Sequence, residues 1–200
     1  MKRAKRAKNT LKFNIIVCGI IILLGIGFYI GYEKIWNENI IKNFYPLKYS
    51  EQVYEYADEY NLSKELVFGI IKTESNFKED AVSSAGALGL MQITPDTFRW
   101  ALLRDNNKTL SEKDIYTPEI NIKYGCYIFR LFLDEFQVEE TAIAAYNAGR
   151  GAVNKWLLDE RYSKDGKTLY HIPYGETRHY VKKVMANKNK YKEIYDFSNK

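Results

Sequence analysis

From Phe13 to Tyr32 the chain reads FNIIVCGIIILLGIGFYIGY, an apolar run without a formal charge. At about 1.5 Å of rise per residue, a helix of this length covers the roughly 30 Å hydrocarbon core of a bilayer, which predicts one transmembrane helix over 13–32. Residues 33–49, EKIWNENIIKNFYPLKY, mix charge with isolated apolar positions around Pro46 and read as a stalk. From Ser50 onward apolar positions recur every three or four residues, with no sustained alternation of period two, so helices are expected throughout. Ser50 is placed to cap a helix carrying Val53, Tyr56, Ala57 and Tyr60. Ser63 is placed to cap the next, with Leu62 and Val67 at the spacing of a hydrophobic staple. Thr94-Pro95-Asp96 and Thr117-Pro118-Glu119 are both cap-then-proline helix starts. After Pro118, the residues Ile122, Cys126, Phe129, Phe132, Leu133 and Phe136 form one apolar stripe. Gly125 within that stripe costs helix stability, which suggests close approach of another helix or a ligand. A further helix is expected from about Glu139 to Asn147, broken by Gly149 and Gly151 and followed by Val153, Trp156 and Leu157. The last should begin near Thr177, with Tyr180, Val181, Val184 and Met185 facing inward. The expected architecture is a mainly α domain over 50–195 behind a single N-terminal transmembrane helix.

Composition supports a packed core: 46% of residues are apolar and 15% aromatic, with 17 Tyr and 10 Phe. Charge adds a direction. The formal net charge is +5, but Lys2, Arg3, Lys5, Arg6, Lys8 and Lys12 all precede position 13, so the remainder sums to 5 − 6 = −1. A basic nucleic-acid-binding domain is therefore excluded. The cluster marks residues 1–12 as a cytoplasmic tail, with the N-terminus inside and the folded domain outside the cytoplasmic membrane. Tyr29, Tyr32 and Trp36 suit the outer interface. A cleaved signal peptide fits poorly, because Ile30, Tyr32 and Glu33 form no A-x-A-like site. Lipoprotein-type cleavage before Cys18 fits no better, with Val17 before it and an apolar run beginning only at Phe13.

Cys18 lies in the apolar span and Cys126 in a later amphipathic stretch, so no disulfide framework is expected. Cys126 reads as a small buried hydrophobe. The only histidines, His171 and His179, have no Cys or acidic partner at ligand spacing, so no metal site is expected. The lysines of the last helix, among them Lys182, Lys183 and Lys188, read as a solvated face.

One polar residue interrupts the helical pattern. Steps of three or four residues from Ile70 and Ile71 land on Glu74, so its side chain leaves from the apolar stripe at the end of the helix beginning at Lys64. Burial there and the negative end of the helix dipole both favour the protonated acid. A carboxylic acid kept protonated near neutral pH can act as a general acid on a glycosidic bond. The spacing alone also fits a glutamate that rotates into water at a frayed helix end. Ser75 could orient the carboxyl or simply end the helix. The small-residue run Ser83-Ser84-Ala85-Gly86-Ala87-Leu88-Gly89 offers backbone polar groups to an extended chain lying close, or is an ordinary flexible loop. Gln92 carries an amide into an apolar segment and needs either a backbone partner or a ligand.

Taken together, these stretches resemble a known family. Glu74-Ser75-Asn76-Phe77, then Ala81-Val82-Ser83-Ser84-Ala85-Gly86-Ala87 and Gly89-Leu90-Met91-Gln92-Ile93-Thr94-Pro95, resemble the first signature of the soluble-lytic-transglycosylase-type domain, which is similar in fold to goose-type lysozyme. Asn121-Ile122 with Gly125 resembles the family's next helix. Ala144-Ala145-Tyr146-Asn147-Ala148-Gly149, followed by Gly151 and Val153, resembles its third block, and Glu176-Thr177-Arg178 with Tyr180-Val181 its last. The blocks occur in order over roughly residues 50–186. Arg150 stands where a proline is often found, which bears on the loop rather than on the acid.

The resemblance implies action on peptidoglycan glycan strands, between N-acetylmuramic acid and N-acetylglucosamine. The catalytic acid falls on Glu74, with Ser75 and Tyr180 in support. Substrate-groove residues fall on Met91, Gln92, Tyr146, Asn147 and Glu176; Glu176 could instead pair with Arg178 or cap its helix. Most glycosidases use two carboxylates, and the acids nearest in sequence, Glu79 and Asp80, fall in a loop. The resemblance implies a single-acid route, in which Glu74 protonates the leaving oxygen and the substrate N-acetyl group assists. Glu74 then takes the proton of the muramoyl 6-hydroxyl, closing a 1,6-anhydro ring without water or any cofactor. Two rivals stay open. One is a muramidase that adds water, using a second carboxylate such as Asp96 or Glu176. The other is an inactive glycan-binding scaffold.

Overall fold

The computed structural model describes residue 17, residues 19–33 and residues 40–197, which divide into one unit ending at Pro46 and another beginning at Leu47. In the first unit residues 19–33 are helical, with Leu23, Phe28 and other large apolar side chains exposed. Among the described residues no helix is long and apolar enough to cross a membrane. Residues 13–16 and 18 of the expected transmembrane helix, the basic tail 1–12 and residues 34–39 of the expected stalk lie outside the described residues.

The second unit is helical, as the pattern predicts. Its elements are α1 (Ser50–Glu59), α2 (Lys64–Glu74), α3 (Pro95–Arg104), a 3₁₀ helix (Glu112–Tyr116), α4 (Pro118–Phe136), α5 (Glu139–Ala148), α6 (Arg150–Leu157) and α7 (Gly175–Ile194). Among the described residues β pairing is limited to isolated bridges, two of which, Val82 with Leu88 and Leu88 with Ile93, fold the segment after α2.

Several helix ends differ from expectation. Ser50 is the first helical residue of α1; the cap position belongs to Tyr49, whose backbone is left-handed at φ 57°. Ser63 does occupy the cap of α2, but its hydroxyl is buried without a hydrogen-bond partner and its carbonyl accepts from Leu66 and Val67 instead. Thr94 behaves as expected, its hydroxyl accepting from the Thr97 N–H ahead of Pro95. Thr117 precedes Pro118 without a side-chain cap. The last helix starts at Gly175 rather than near Thr177, and α6 begins at Arg150 directly after Gly149. Gly149 turns the chain between α5 and α6 at φ 86°, a conformation open to glycine.

The core is built around α2. Leu66, Val67, Phe68, Ile70 and Ile71 are all buried, each contributing roughly 1.5–3 kcal/mol of hydrophobic stabilisation. The longest seam of the unit joins α2 to α7. Gly69 makes it possible: a Cβ there would lie 2.9 Å from the Lys188 nitrogen and 3.2 Å from the Val184 carbonyl oxygen. The seam also carries polar register marks. The Asn187 amide donates to Thr73 Oγ1 at 2.9 Å, Thr73 donates to the Gly69 carbonyl at 2.7 Å, and Lys188 pairs with Glu139 of α5 at 2.6 Å.

Candidate active site

Glu74 is the last residue of α2 and is half-buried. Tyr180, on the inward face of α7, donates its hydroxyl to Glu74 Oε1 at 2.5 Å. Burial pushes the acid up from 4.5 to about 7, opposed by the Tyr180 hydrogen bond and the positive charge of Lys183. Desolvation therefore wins over both stabilisers of the carboxylate. Tyr180 and Tyr146 are held well above the ordinary tyrosine range, first by burial and then by the charge of Glu74, so both hydroxyls remain protonated donors around it.

The turn after the acid is unusual. Asn76 and Phe77 both have left-handed backbones, at φ 50° and 64°. Such a conformation costs an ordinary side chain on the order of 1–3 kcal/mol and persists only where its surroundings enforce it. Ser75 supplies one constraint, accepting from the Phe77 N–H at 3.1 Å while donating to the Ile71 carbonyl at 3.2 Å. Phe77 itself is buried near Phe68, with ring centroids 6.3 Å apart. Both hydrogen bonds of the Ser75 hydroxyl go to backbone, so it shapes the turn and does not orient the carboxyl directly.

The small-residue segment is a folded platform rather than a loose loop. Ser83 N–H donates to the Ala87 carbonyl at 2.9 Å, Gly89 N–H to the Ala81 carbonyl at 2.9 Å, and Leu88 and Ile93 exchange backbone bonds at 3.0 and 3.1 Å. The Gln92 amide has backbone partners, donating to the carbonyls of Gly89 at 2.9 Å and Ala81 at 3.1 Å. Beneath lies a residue to which sequence reasoning gave no role. Asn121, in the first turns of α4 and 1% exposed, accepts from the Met91 N–H at 2.7 Å and donates to the carbonyls of Leu88 and Ile115 at 3.0 Å each. Two of these bonds serve the platform and the third ties Asn121 to the 3₁₀ helix. Gly89 leaves it room, since a Cβ there would fall 2.4 Å from Asn121 Nδ2.

The other expected residues divide. Tyr146, near the end of α5, donates to the Met91 carbonyl at 2.9 Å, and Asn147 follows it, partly exposed. Met91 differs from expectation: its side chain is fully buried, filling the notch at Gly125, where a Cβ would lie 2.2 Å from its sulfur. The close approach that Gly125 permits is thus to a core side chain, and Met91 presents its backbone to Tyr146. Glu176 is exposed in the first turn of α7, and of the alternatives weighed for it the pairing with Arg178 is not made among the described residues; Arg178 donates to the Ile172 carbonyl at 2.7 Å. Asp96 is tied to Arg99, which also binds Glu112. Glu79 accepts from the Tyr49 hydroxyl at 2.8 Å.

An acid at a helix end, a tyrosine donor from the last helix and a backbone platform are thus brought together on one domain. Residues 51–169 match the model of the Transglycosylase SLT domain. The chain belongs to that family. Among SLT relatives it is 32% identical to the soluble lytic murein transglycosylase of Salmonella typhimurium, over 76% of this chain and 24% of that protein. It is 31% identical to the membrane-bound lytic murein transglycosylase C of Glaesserella parasuis, over 74% of this chain and 46% of the relative. It therefore spans less than half the length of either. The structure of lytic transglycosylase Slt from Pseudomonas aeruginosa, solved as an inactive mutant with one glutamate changed to glutamine, superposes with a TM-score of 0.65 at 28% identity, over 76% of this chain and 26% of that one. The SLT unit here has the same lysozyme-like helical fold.

Proposed function

We propose that this chain is a membrane-anchored lytic transglycosylase that cleaves peptidoglycan between N-acetylmuramic acid and N-acetylglucosamine, leaving 1,6-anhydro ends. The observation that carries the reading is Glu74, a half-buried acid whose pKa desolvation pushes up to about 7, with the Tyr180 hydroxyl as its hydrogen-bond donor. In this state Glu74 delivers its proton to the glycosidic oxygen, and Tyr180 stabilises the carboxylate left behind. The substrate N-acetyl oxygen engages the anomeric carbon as the bond to the leaving sugar breaks. Glu74 then accepts the proton of the muramoyl 6-hydroxyl as that oxygen closes onto the anomeric carbon and the N-acetyl group is released. The acid is regenerated, and no water is consumed.

Hydrolysis on the same fold would call on a second carboxylate or a positioned water. Of the two acids weighed for that role, Asp96 is neutralised by Arg99 and Glu176 faces solvent in the first turn of α7. This supports the single-acid route. Ser75 serves the turn that carries Glu74, while Gln92, Tyr146 and Asn147 line the approach for the glycan. The apolar run 13–32 with its basic flank, and the existence of membrane-bound relatives, support anchoring with the domain outside the cytoplasmic membrane.

The test is mass spectrometry of the products from purified peptidoglycan strands. Anhydro-muramoyl ends from the wild type and none from Glu74→Gln are expected. Reducing ends, heavier by one water, would assign a hydrolase, and intact strands with retained binding a scaffold.

A further inference from the structure

The buried stripe of α7 runs Tyr180, Val184, Asn187, Tyr191, in steps of four, three and four residues. Three of these side chains make specific contacts with α2. Tyr191 stacks on Phe68 with ring centroids 5.2 Å apart, Asn187 reaches Thr73, and Tyr180 reaches Glu74. Asn187 is 8% exposed, a primary amide in an otherwise apolar and aromatic stripe.

The polarity of the Thr73 bond is fixed. The Thr73 hydroxyl proton is committed to the Gly69 carbonyl at 2.7 Å, so its oxygen meets α7 as an acceptor, and the Asn187 amide supplies the donor at 2.9 Å. Apolar contacts along a seam tolerate sliding, whereas a buried amide loses its partner when the register changes. Single buried asparagines set helix register in coiled coils for the same reason.

Thr73 and Glu74 are consecutive, so their side chains leave α2 about 100° apart, while Tyr180 and Asn187 lie about 10 Å apart along α7. Two bonds so placed hold the end of α2 against both sliding and rotation about its axis. One of the two is the bond made by the acid itself. On the other flank of the acid, the Ser75 hydroxyl is spent on backbone within its own turn and ties it to no other helix. The other groups that bear on Glu74 are the Tyr146 hydroxyl of α5 and the ammonium of Lys183, which α7 carries together with Tyr180.

We propose that Asn187 is a positioning residue for the acid: through Thr73 it sets the register and rotation at which the end of α2 delivers Glu74 to Tyr180. The kinetic consequence rests on the transglycosylase reading above. The coupling between Asn187 and the Tyr180 bond does not.

A double-mutant cycle on the full chain tests this, read by kcat on purified peptidoglycan and by carbon-13 titration of the Glu74 carboxyl, at matched folded fraction. Asn187→Leu and Thr73→Val, each close in volume to the residue replaced, should lower kcat roughly 10–100-fold with KM nearly unmoved, the loss expected for a reacting group displaced by about 1 Å. Thr73→Ser keeps both bonds and should keep the wild-type rate. Tyr180→Phe should shift the Glu74 midpoint and slow cleavage in the wild type and in Thr73→Ser. In Asn187→Leu or Thr73→Val it should leave the midpoint in place and cost less than about twofold more, because its bond is already lost there. A Tyr180→Phe effect of equal size in every background would overturn the positioning role, as would full kcat in both Asn187→Leu and Thr73→Val. Failure of both to fold would overturn it too, by assigning the pair to global stability. A wild type that leaves peptidoglycan uncut overturns the transglycosylase reading instead, and the titration alone then decides the role of Asn187.

Discussion

Tyr180 Oη donates to Glu74 Oε1 across 2.5 Å, joining residues 106 positions apart. The bond stabilises the carboxylate, so it works against the burial that keeps the acid protonated. Removing it in Tyr180→Phe should raise the pKa of Glu74 above about 7. The alkaline limb of the kcat/KM profile should then move to higher pH, while the rate at the optimum falls roughly 10–100-fold through loss of carboxylate stabilisation. A limb that stays in place or moves to lower pH would refute this account of the pair.

The raised pKa of Glu74 also bears on stability. Glu74 binds its proton more tightly folded than unfolded, so its stabilising contribution is full below about pH 4.5 and is lost as pH rises through about 7. Glu74→Gln, which keeps the shape without the charge, should therefore be more stable than wild type at pH 8, by up to about 3 kcal/mol. Near pH 4 the two should match. Urea unfolding at both values checks the sign, and a variant less stable at pH 8 would contradict the burial of Glu74.

Gly69 sets how closely α2 and α7 pack. In Gly69→Ala the new methyl meets backbone, the Lys188 nitrogen and the Val184 carbonyl oxygen, which cannot swing aside as a flexible side chain can. The helices must part, at a cost of about 1–3 kcal/mol from overpacking. The Tyr180 to Glu74 bond should lengthen with them, so activity should fall further than the folded fraction does. Urea titration and assays at matched folded fractions distinguish the two effects.

Asn121→Leu should uncouple the platform from the rest of the domain. The substitution strands the Met91 N–H and takes the amide donor from the Ile115 carbonyl, each a buried polar group costing about 1–3 kcal/mol when unsatisfied, while the Leu88 carbonyl keeps the Ile93 N–H. Amide exchange should accelerate selectively over residues 83–93, leaving the interior of α7 protected. Uniform acceleration would place Asn121 in global stability instead.

Which of these features can be read from sequence depends on how local their causes are. Glu74 was visible because helical periodicity alone places it on the apolar face, and the need of Gln92 for a partner follows from the cost of burying an amide. The acid's meaning, however, came from the resemblance to a family, since spacing alone fits a solvated helix end equally well. Asn121 resists such reading: a polar residue in the first turns of a helix looks like ordinary surface, and its partners lie up to 33 positions away. The burial of Met91 depends on Gly125 in another helix, and the Tyr49 cap on a left-handed residue that no Ser or Thr announces. Periodicity puts Ser75 at the helix end, but which atoms its hydroxyl binds depends on the left-handed turn at Asn76 and Phe77.

The seam between α2 and α7 gives the molecule a timetable. A ribosome makes Glu74 early and Tyr180 more than a hundred residues later, and α7 must still emerge before it can dock along Gly69. Until then α2 has no cover on that side, and its acid is a wet carboxylate with an ordinary affinity for protons. The arming of Glu74 therefore arrives in one step, once α7 has emerged, and a polypeptide clipped ahead of Tyr174 carries the acid without its tyrosine donor.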